Sequence, residues 1–186
     1  MVHCTGSPAS MAEILKTLEP GDILTHVFHG GANSACEDDF ACVREAKERG
    51  VIIDAGFAGY VHTDMAVLQK AVAAGVLPHT ISTDITKVSA YIRGGRYGMT
   101  MCMNMALTAG MNEEDVFRAV TSAPAKVLGK DKAWGHLFEG GPADIAVLKF
   151  TDEGFDLTDN AGNRLTSDKG WRCALTVSDG QVVWRE

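Results

Sequence analysis

The sequence has no cluster of cations, no long apolar run and no paired cysteines, and each absence removes a class of function. Lys and Arg number 17 against 24 Asp and Glu in 186 residues, a formal net charge of -7. Attraction to a phosphate backbone needs cations gathered on one surface, so no nucleic-acid partner is expected. No apolar stretch approaches the roughly 18 residues that cross a bilayer, and the start, MVHCTGSPAS, lacks a basic segment followed by an apolar one. These features predict a cytoplasmic protein with no membrane partner. The five cysteines (4, 36, 42, 102 and 173) are odd in number and form no CxxC pair. That argues against a disulfide framework or a cysteine-zinc site and for reduced, packed thiols. GxSxG, HExxH, P-loop and GxGxxG motifs are all missing. Without a nucleophile elbow, HisGlyGly at 29–31 does not make an esterase.

What is present is a 46% hydrophobic, 22% charged chain able to bury a substantial core. Short apolar runs alternate with amphipathic segments, the pattern of βα units. Four are expected. MVHC opens the first, and a helix from Ser10 follows, with Ser10 and Glu13 spaced as a capping box. DILTHVF (22–28) is the second strand, followed by a charged helix over 37–49 that Gly50 ends. VIIDA (51–55) is the third, with Thr63 placed to cap a helix running to Gly75. Residues 80–84 of HTISTD form the fourth, followed by helices around 98–109 and 112–121. The Met-rich stretch 99–105 reads as core packing. Near-continuous apolar strands of this kind suit a parallel sheet covered on both faces. After Trp134 the texture becomes short β-prone pieces, with SerAspGly at 178–180 as a hairpin signal. The expected division is therefore an α/β region over 1–133 and a β module over 134–186. A first strand at residue 1 implies either an open four-stranded sheet or the back half of something larger.

In parallel α/β architectures, ligands bind at the carboxyl ends of the strands. Those ends carry His3, then Thr25 and His26 with His29 beyond, then Asp54, then Asp84. Two imidazoles and a carboxylate at His3, His26 and Asp84 form a ligand set that borderline divalent metals such as zinc prefer. Taken singly, each has a structural explanation: a satisfied core histidine, or for Asp84 a helix cap or a partner for Arg93. Arg93 and Arg96, after the fourth strand, have the chemistry to hold a substrate carboxylate. Cys4 follows His3 and, by strand alternation, points to the opposite face.

VH at 2–3, GDILTHVFHG at 21–30, GVIIDAG at 50–56 and PHTISTDIT at 78–86 resemble the later part of metal-dependent amidohydrolases, in the amidohydrolase/deacetylase group often called dihydroorotase-like. TSAPAKVLG at 121–129, GGPADIAVL at 140–148 and VSDGQVV at 177–183 are similar to that superfamily's closing helix and returning β module. The resemblance implies the C-terminal half of a (β/α)8 TIM barrel, four βα units, followed by part of a small β-sandwich. It also implies hydrolysis of an amide or cyclic-amide C–N bond in a small-molecule substrate, with zinc or another divalent metal as cofactor. His3 and His26 would match metal histidines, and Asp84 the aspartate that binds metal and acts as general base. Where relatives show GlyHisGly, this chain has Gly56, Phe57 and Ala58, which leaves His62 to take a substrate-side role beside Arg93 and Arg96. The family's HisXHis pair and carboxylated lysine are absent from these 186 residues. The activity is therefore expected of the complete protein, with this chain a truncated product, a partial gene model or one half of a split barrel. The alternative is a catalytically incompetent half-barrel that self-associates or pairs with its missing N-terminal half, because Ile81 and Ile85 would lack neighbours.

Overall fold

A computed structural model describes residues 1–58, 62–92, 97–159 and 161–186. The chain is α/β. Three short parallel strands, β1 (Val2–His3), β2 (Ile23–Thr25) and β3 (Ile52–Asp54), lie in the order β1-β2-β3. The register sets His3 beside Thr25 and Thr25 beside Asp54. The catalogue of helices is α1 (Met11–Lys16), α2 (Ala41–Glu48), α3 (Met65–Ala73), α4 (Lys87–Ile92), α5 (Met99–Thr108), α6 (Glu113–Val120) and α7 (Ser122–Val127). None of the described helices is long and apolar enough to cross a membrane.

Local chemistry explains most boundaries. At α1 the capping box forms: Ser10 Oγ accepts from Glu13 N at 3.3 Å, and Glu13 Oε2 accepts from Ser10 N at 2.8 Å. Gly50, at φ 95°, ends α2 in the left-handed region that glycine tolerates. The charged helix expected over 37–49 is split. Asp39 and Phe40 are left-handed, so a short 3-10 turn (Ala35–Asp38) precedes α2. Burial of the Phe40 ring, 1% exposed, offsets that strain. The cap of α3 is Asp64 rather than Thr63: its Oδ1 accepts from Ala66 N at 2.9 Å and Val67 N at 3.1 Å.

The second and fourth strands also differ from expectation. β2 stops at Thr25 because His26 turns to φ 65°. Residues 80–84 run alongside β3 without forming a strand. A single parallel bridge joins Asp54 and Thr80, and Ala55 N, Phe57 N and Ala58 N donate to Thr80 O, Ser82 O and Thr83 O at 3.0–3.1 Å. Left-handed Gly56 and Ala58, at φ 54° and 48°, break the regular ladder there. Ile81, expected to lack neighbours, is 3% exposed and donates its N–H to Ala119 O, whereas Ile85 is 50% exposed.

Leu24 and Ile53 from the sheet, Leu15, Val43, Leu68 and Met105 from the helices, and Phe28, Phe40 and Phe57 from the loops form the core. Each such side chain contributes about 1.5–3 kcal/mol by leaving water. Cys102, Met103 and Met105 are buried, in keeping with the packing role expected of the Met-rich stretch.

The remaining residues form β4 (Ile145–Thr151), β5 (Phe155–Thr158), β6 (Arg164–Ser167), β7 (Gly170–Ser178) and β8 (Gln181–Arg185). They make an antiparallel β4-β7-β8 sheet and a β5-β6 hairpin. Ser178 pairs with Gln181 across a two-residue loop whose Asp179 and Gly180 are both left-handed, φ 49° and 74°, as a type I′ turn requires. Hydrogen bonds at two places help to join these strands to the helices. Asn104 on α5 accepts from Trp171 N at 2.7 Å and donates to Trp171 O at 3.0 Å. Asp159, after β5, accepts from Met65 N at 2.7 Å, while Asn163 Nδ2 donates to Asp64 Oδ1 at 3.0 Å.

Candidate metal centre

The carboxyl ends of β1 and β2 and the segment leading into α3 bring three imidazoles together. One ring nitrogen from each of His3, His26 and His62 lies within 4.8 Å of the other two. Ring centroids are 4.5 Å apart for His3–His26, 4.9 Å for His3–His62 and 4.5 Å for His26–His62. His26 is buried, His62 half-buried and His3 exposed, so the cluster opens to solvent on one side. Asp84 Oδ2 stands 3.8 Å from His26 Nε2, with the Asp84 side chain 47% exposed. His3 and His26 of the expected set meet here with Asp84 beside His26, and His62, expected on the substrate side, stands against both histidines. Arg93 and Arg96 lie outside the described residues.

The tautomer of His26 follows from its partner. Nδ1 sits 2.5 Å from Gly56 O, a group that only accepts, so the proton is on Nδ1 and the Nε2 lone pair is free. Only glycine fits at position 56. A Cβ there would lie 2.2 Å from Thr25 Oγ1 and 2.5 Å from His26 Nδ1, and φ is already 54°. Burial pushes the His26 pKa below the usual imidazole value, with the His3 charge adding to the fall and the Gly56 bond, Asp84 and Asp54 opposing it. His62 is likewise lowered, first by burial and then by His26 and His3. Both are therefore neutral at neutral pH, the form that ligates metal.

Two further buried groups border the cluster. His29 accepts from Gly31 N at Nδ1, 3.0 Å, and its Nε2 is buried without a partner among the described residues. Burial, then His26, His62 and His3, lower its pKa. Asp54, 2% exposed, accepts three hydroxyl hydrogen bonds, from Thr25, Thr80 and Ser82. Sequence reasoning placed Asp54 at a strand end without giving it a partner; the signal was the hydroxyl residue in each neighbouring run, THV and TIST. Cys4, the other residue singled out, is fully buried and turned away. Its Sγ donates to Thr25 O at 3.1 Å, away from the imidazoles, and burial pushes its pKa up to about 12.

The model of the amidohydrolase family matches residues 32–183 of the sequence. The chain belongs to the amidohydrolase family. Three imidazoles with ring nitrogens this close suit a divalent ion, whose nitrogen bonds of about 2.0–2.1 Å are within reach of small side-chain rotations. This amidohydrolase-family chain is 33% identical over 166 residues to a deacetylase of Agrobacterium fabrum, covering 88% of the chain and 40% of that protein. It is 31% identical over 192 residues to a deacetylase of Enterococcus faecalis, covering 98% and 50%. It therefore spans about half the length of the curated relatives it matches. A dihydroorotase crystal structure superposes with a TM-score of 0.85 at 28% identity, covering all of this chain and 50% of that one. An adenine deaminase structure gives 0.85 at 27% identity, covering 97% and 49%.

Proposed function

We propose that this chain carries half of the catalytic centre of a metal-dependent amidohydrolase, one that hydrolyses an amide or cyclic-amide C–N bond of a small molecule by a deacetylase or dihydroorotase type of reaction. In this reading residues 1–133 are four βα units of a (β/α)8 barrel, and residues 134–186 belong to a small β-sandwich. Coverage of about half of each relative supports the half-barrel reading, and the change from parallel strands and helices to antiparallel strands after α7 supports the division. The observation that carries the proposal is the meeting of His3, His26 and His62 in a chain of this family.

His3 Nε2 or Nδ1, His26 Nε2 and a ring nitrogen of His62 would hold a zinc ion or another divalent cation. Such a cation, when bound, supplies Lewis acidity and draws the pKa of coordinated water towards neutrality. Gly56 O fixes the His26 ring so that its lone pair faces the cluster. Asp84, beside His26 and half-exposed, is placed to accept the proton given up by the attacking water and to hand it on to the departing nitrogen. Arg93 and Arg96 are proposed to hold a substrate carboxylate.

Zinc titration followed by elemental analysis tests the reading. About one zinc per chain is expected, lost in His26→Ala and His62→Ala. In the longer protein, Asp84→Asn should keep metal but lose hydrolysis of N-acyl amino acids or cyclic ureides by about 10²–10⁴-fold. A metal-free wild type at micromolar zinc, or metal retained by both alanine variants, overturns it.

A second reading is favoured by a separate observation. Val147, Phe150, Val182, Val183 and Trp184 expose 45–60% of their surface on β4 and β8, and β8 is an edge strand. Exposed apolar side chains on both sides of an open edge suit a chain that works only when paired with a complementary half or with itself. A sharp monomer in sedimentation at micromolar concentration, with cooperative melting, counts against it.

A further inference from the structure

We infer that Asp54 is a positioning residue for the imidazole cluster, a single carboxylate that ties the ends of β2, β3 and the 80–84 segment so that His26 and Asp84 face the same space. The inference rests on the metal-site reading above. Its basis is the arrangement of three donors. Thr25 Oγ1 and Ser82 Oγ both donate to Asp54 Oδ2, at 2.7 and 2.6 Å, and Thr80 Oγ1 donates to Oδ1 at 2.7 Å. Asp54 is 2% exposed, and Thr25 and Thr80 are 7% exposed, so water does not compete for the two threonine bonds; Ser82 is half-buried.

The three donors are placed where they control the site. Thr25 immediately precedes His26, and Ser82 stands two residues before Asp84. His26 and Asp84 are themselves left-handed, at φ 65° and 45°, a conformation that non-glycine residues leave unless something holds them. Relaxation of His26 to an extended backbone would swing its ring away from His3 and His62. Two bonds oppose that, Thr25 to Asp54 and His26 Nδ1 to Gly56 O, and both end on β3 or the residues directly after it. The Ser82 bond does the same for the chain leading to Asp84. A carboxylate suits this task because Oδ2 accepts two hydroxyls at once. An amide has one accepting oxygen and a donor in place of the other, so Asp54→Asn would turn at least one hydroxyl away.

Co2+ titration of the 186-residue chain, read by its visible absorption, tests this together with the downfield imidazole N–H resonances of 15N-histidine-labelled, metal-free chain. Asp54→Asn should weaken Co2+ binding by roughly 10- to 100-fold and change the spectrum. It should also abolish the His26 Nδ1–H resonance while leaving the far-UV circular dichroism of a folded protein. Thr25→Val should do the same more weakly, and Thr25→Ser should restore wild-type values, which a general packing defect would not; this pair decides if Asp54→Asn does not fold. Wild-type Co2+ affinity, spectrum and Nδ1–H resonance in Asp54→Asn overturn the inference and leave the metal site standing. A wild type that takes up no Co2+ overturns the metal reading instead, and the Nδ1–H resonance, lost or kept in Asp54→Asn, then decides whether Asp54 positions His26.

Discussion

Replacing Gly56 by alanine tests whether the His26 orientation depends on backbone geometry that only glycine supplies. The added methyl would stand 2.2 Å from Thr25 Oγ1, 2.5 Å from His26 Nδ1 and 2.9 Å from His26 Cε1. None of these is the free end of a long side chain. Thr25 is tied to Asp54, and His26 to Gly56 itself. Two costs combine: the left-handed backbone at φ 54°, about 1–2 kcal/mol for a residue with a Cβ, and overpacking, about 1–3 kcal/mol. The expected loss is thus about 2–5 kcal/mol. For a chain of this size each kcal/mol lowers Tm by about 2–4 °C, so the Tm should fall by roughly 4–20 °C. Metal affinity should fall as well, because the His26 ring must turn to make room. Calorimetry of the metal-free chain and zinc titration measure the two effects. A Gly56→Ala chain within 1 °C of the wild-type Tm and with unchanged zinc affinity would refute the reasoning.

Two other outcomes are expected. Burial lowers the pKa of His26, His29, His62 and His79 in the folded chain. Below the unfolded value of about 6.5 the unfolded chain therefore binds more protons than the folded one. Stability of the metal-free chain should accordingly fall as pH drops from 7 towards 5, and a urea midpoint that stayed constant or rose over that range would contradict the assignment. Burial also raises Cys4 and Cys102 to about 12. Both should resist a thiol-directed disulfide reagent at pH 8 until urea unfolds the chain, and prompt labelling of either, located by peptide mass mapping, would show the burial to be wrong.

Features written in a few adjacent residues were legible in the sequence. The Ser10–Glu13 capping box and the Asp179–Gly180 turn depend on local spacing alone, and both form as expected. The strand ends at His3 and just before His26 were legible because apolar runs mark where strands stop, whereas the run leading to Asp84 pairs with β3 through a single bridge and forms no strand. The hidden parts were those fixed by contacts distant in sequence. Phe40 turns left-handed for the sake of a buried ring, which no helix-start pattern signals. Asp64 outcompetes Thr63 as a cap because its carboxylate reaches two amides. His62 joins the cluster from a segment without periodicity. Asp54 gathers hydroxyls 26, 28 and 29 residues away, and nothing in the VIIDA run marks those partners.

The start of α3 carries a consequence for how this protein can be rearranged. Its first amides are held by Asp64 from its own segment and by Asp159 from the β5–β6 connection, and Asn163 links the two carboxylates. Two residues before Asp64 stands His62. The distal hairpin is thereby a brace for one of the three imidazoles, although it contributes no side chain to them. Deleting or exchanging residues 134–186 would leave the Met65 amide unpaired and the approach to His62 unanchored. A chimera that borrows its β module from a relative would need an acceptor at the Asp159 position to keep the imidazole cluster in register.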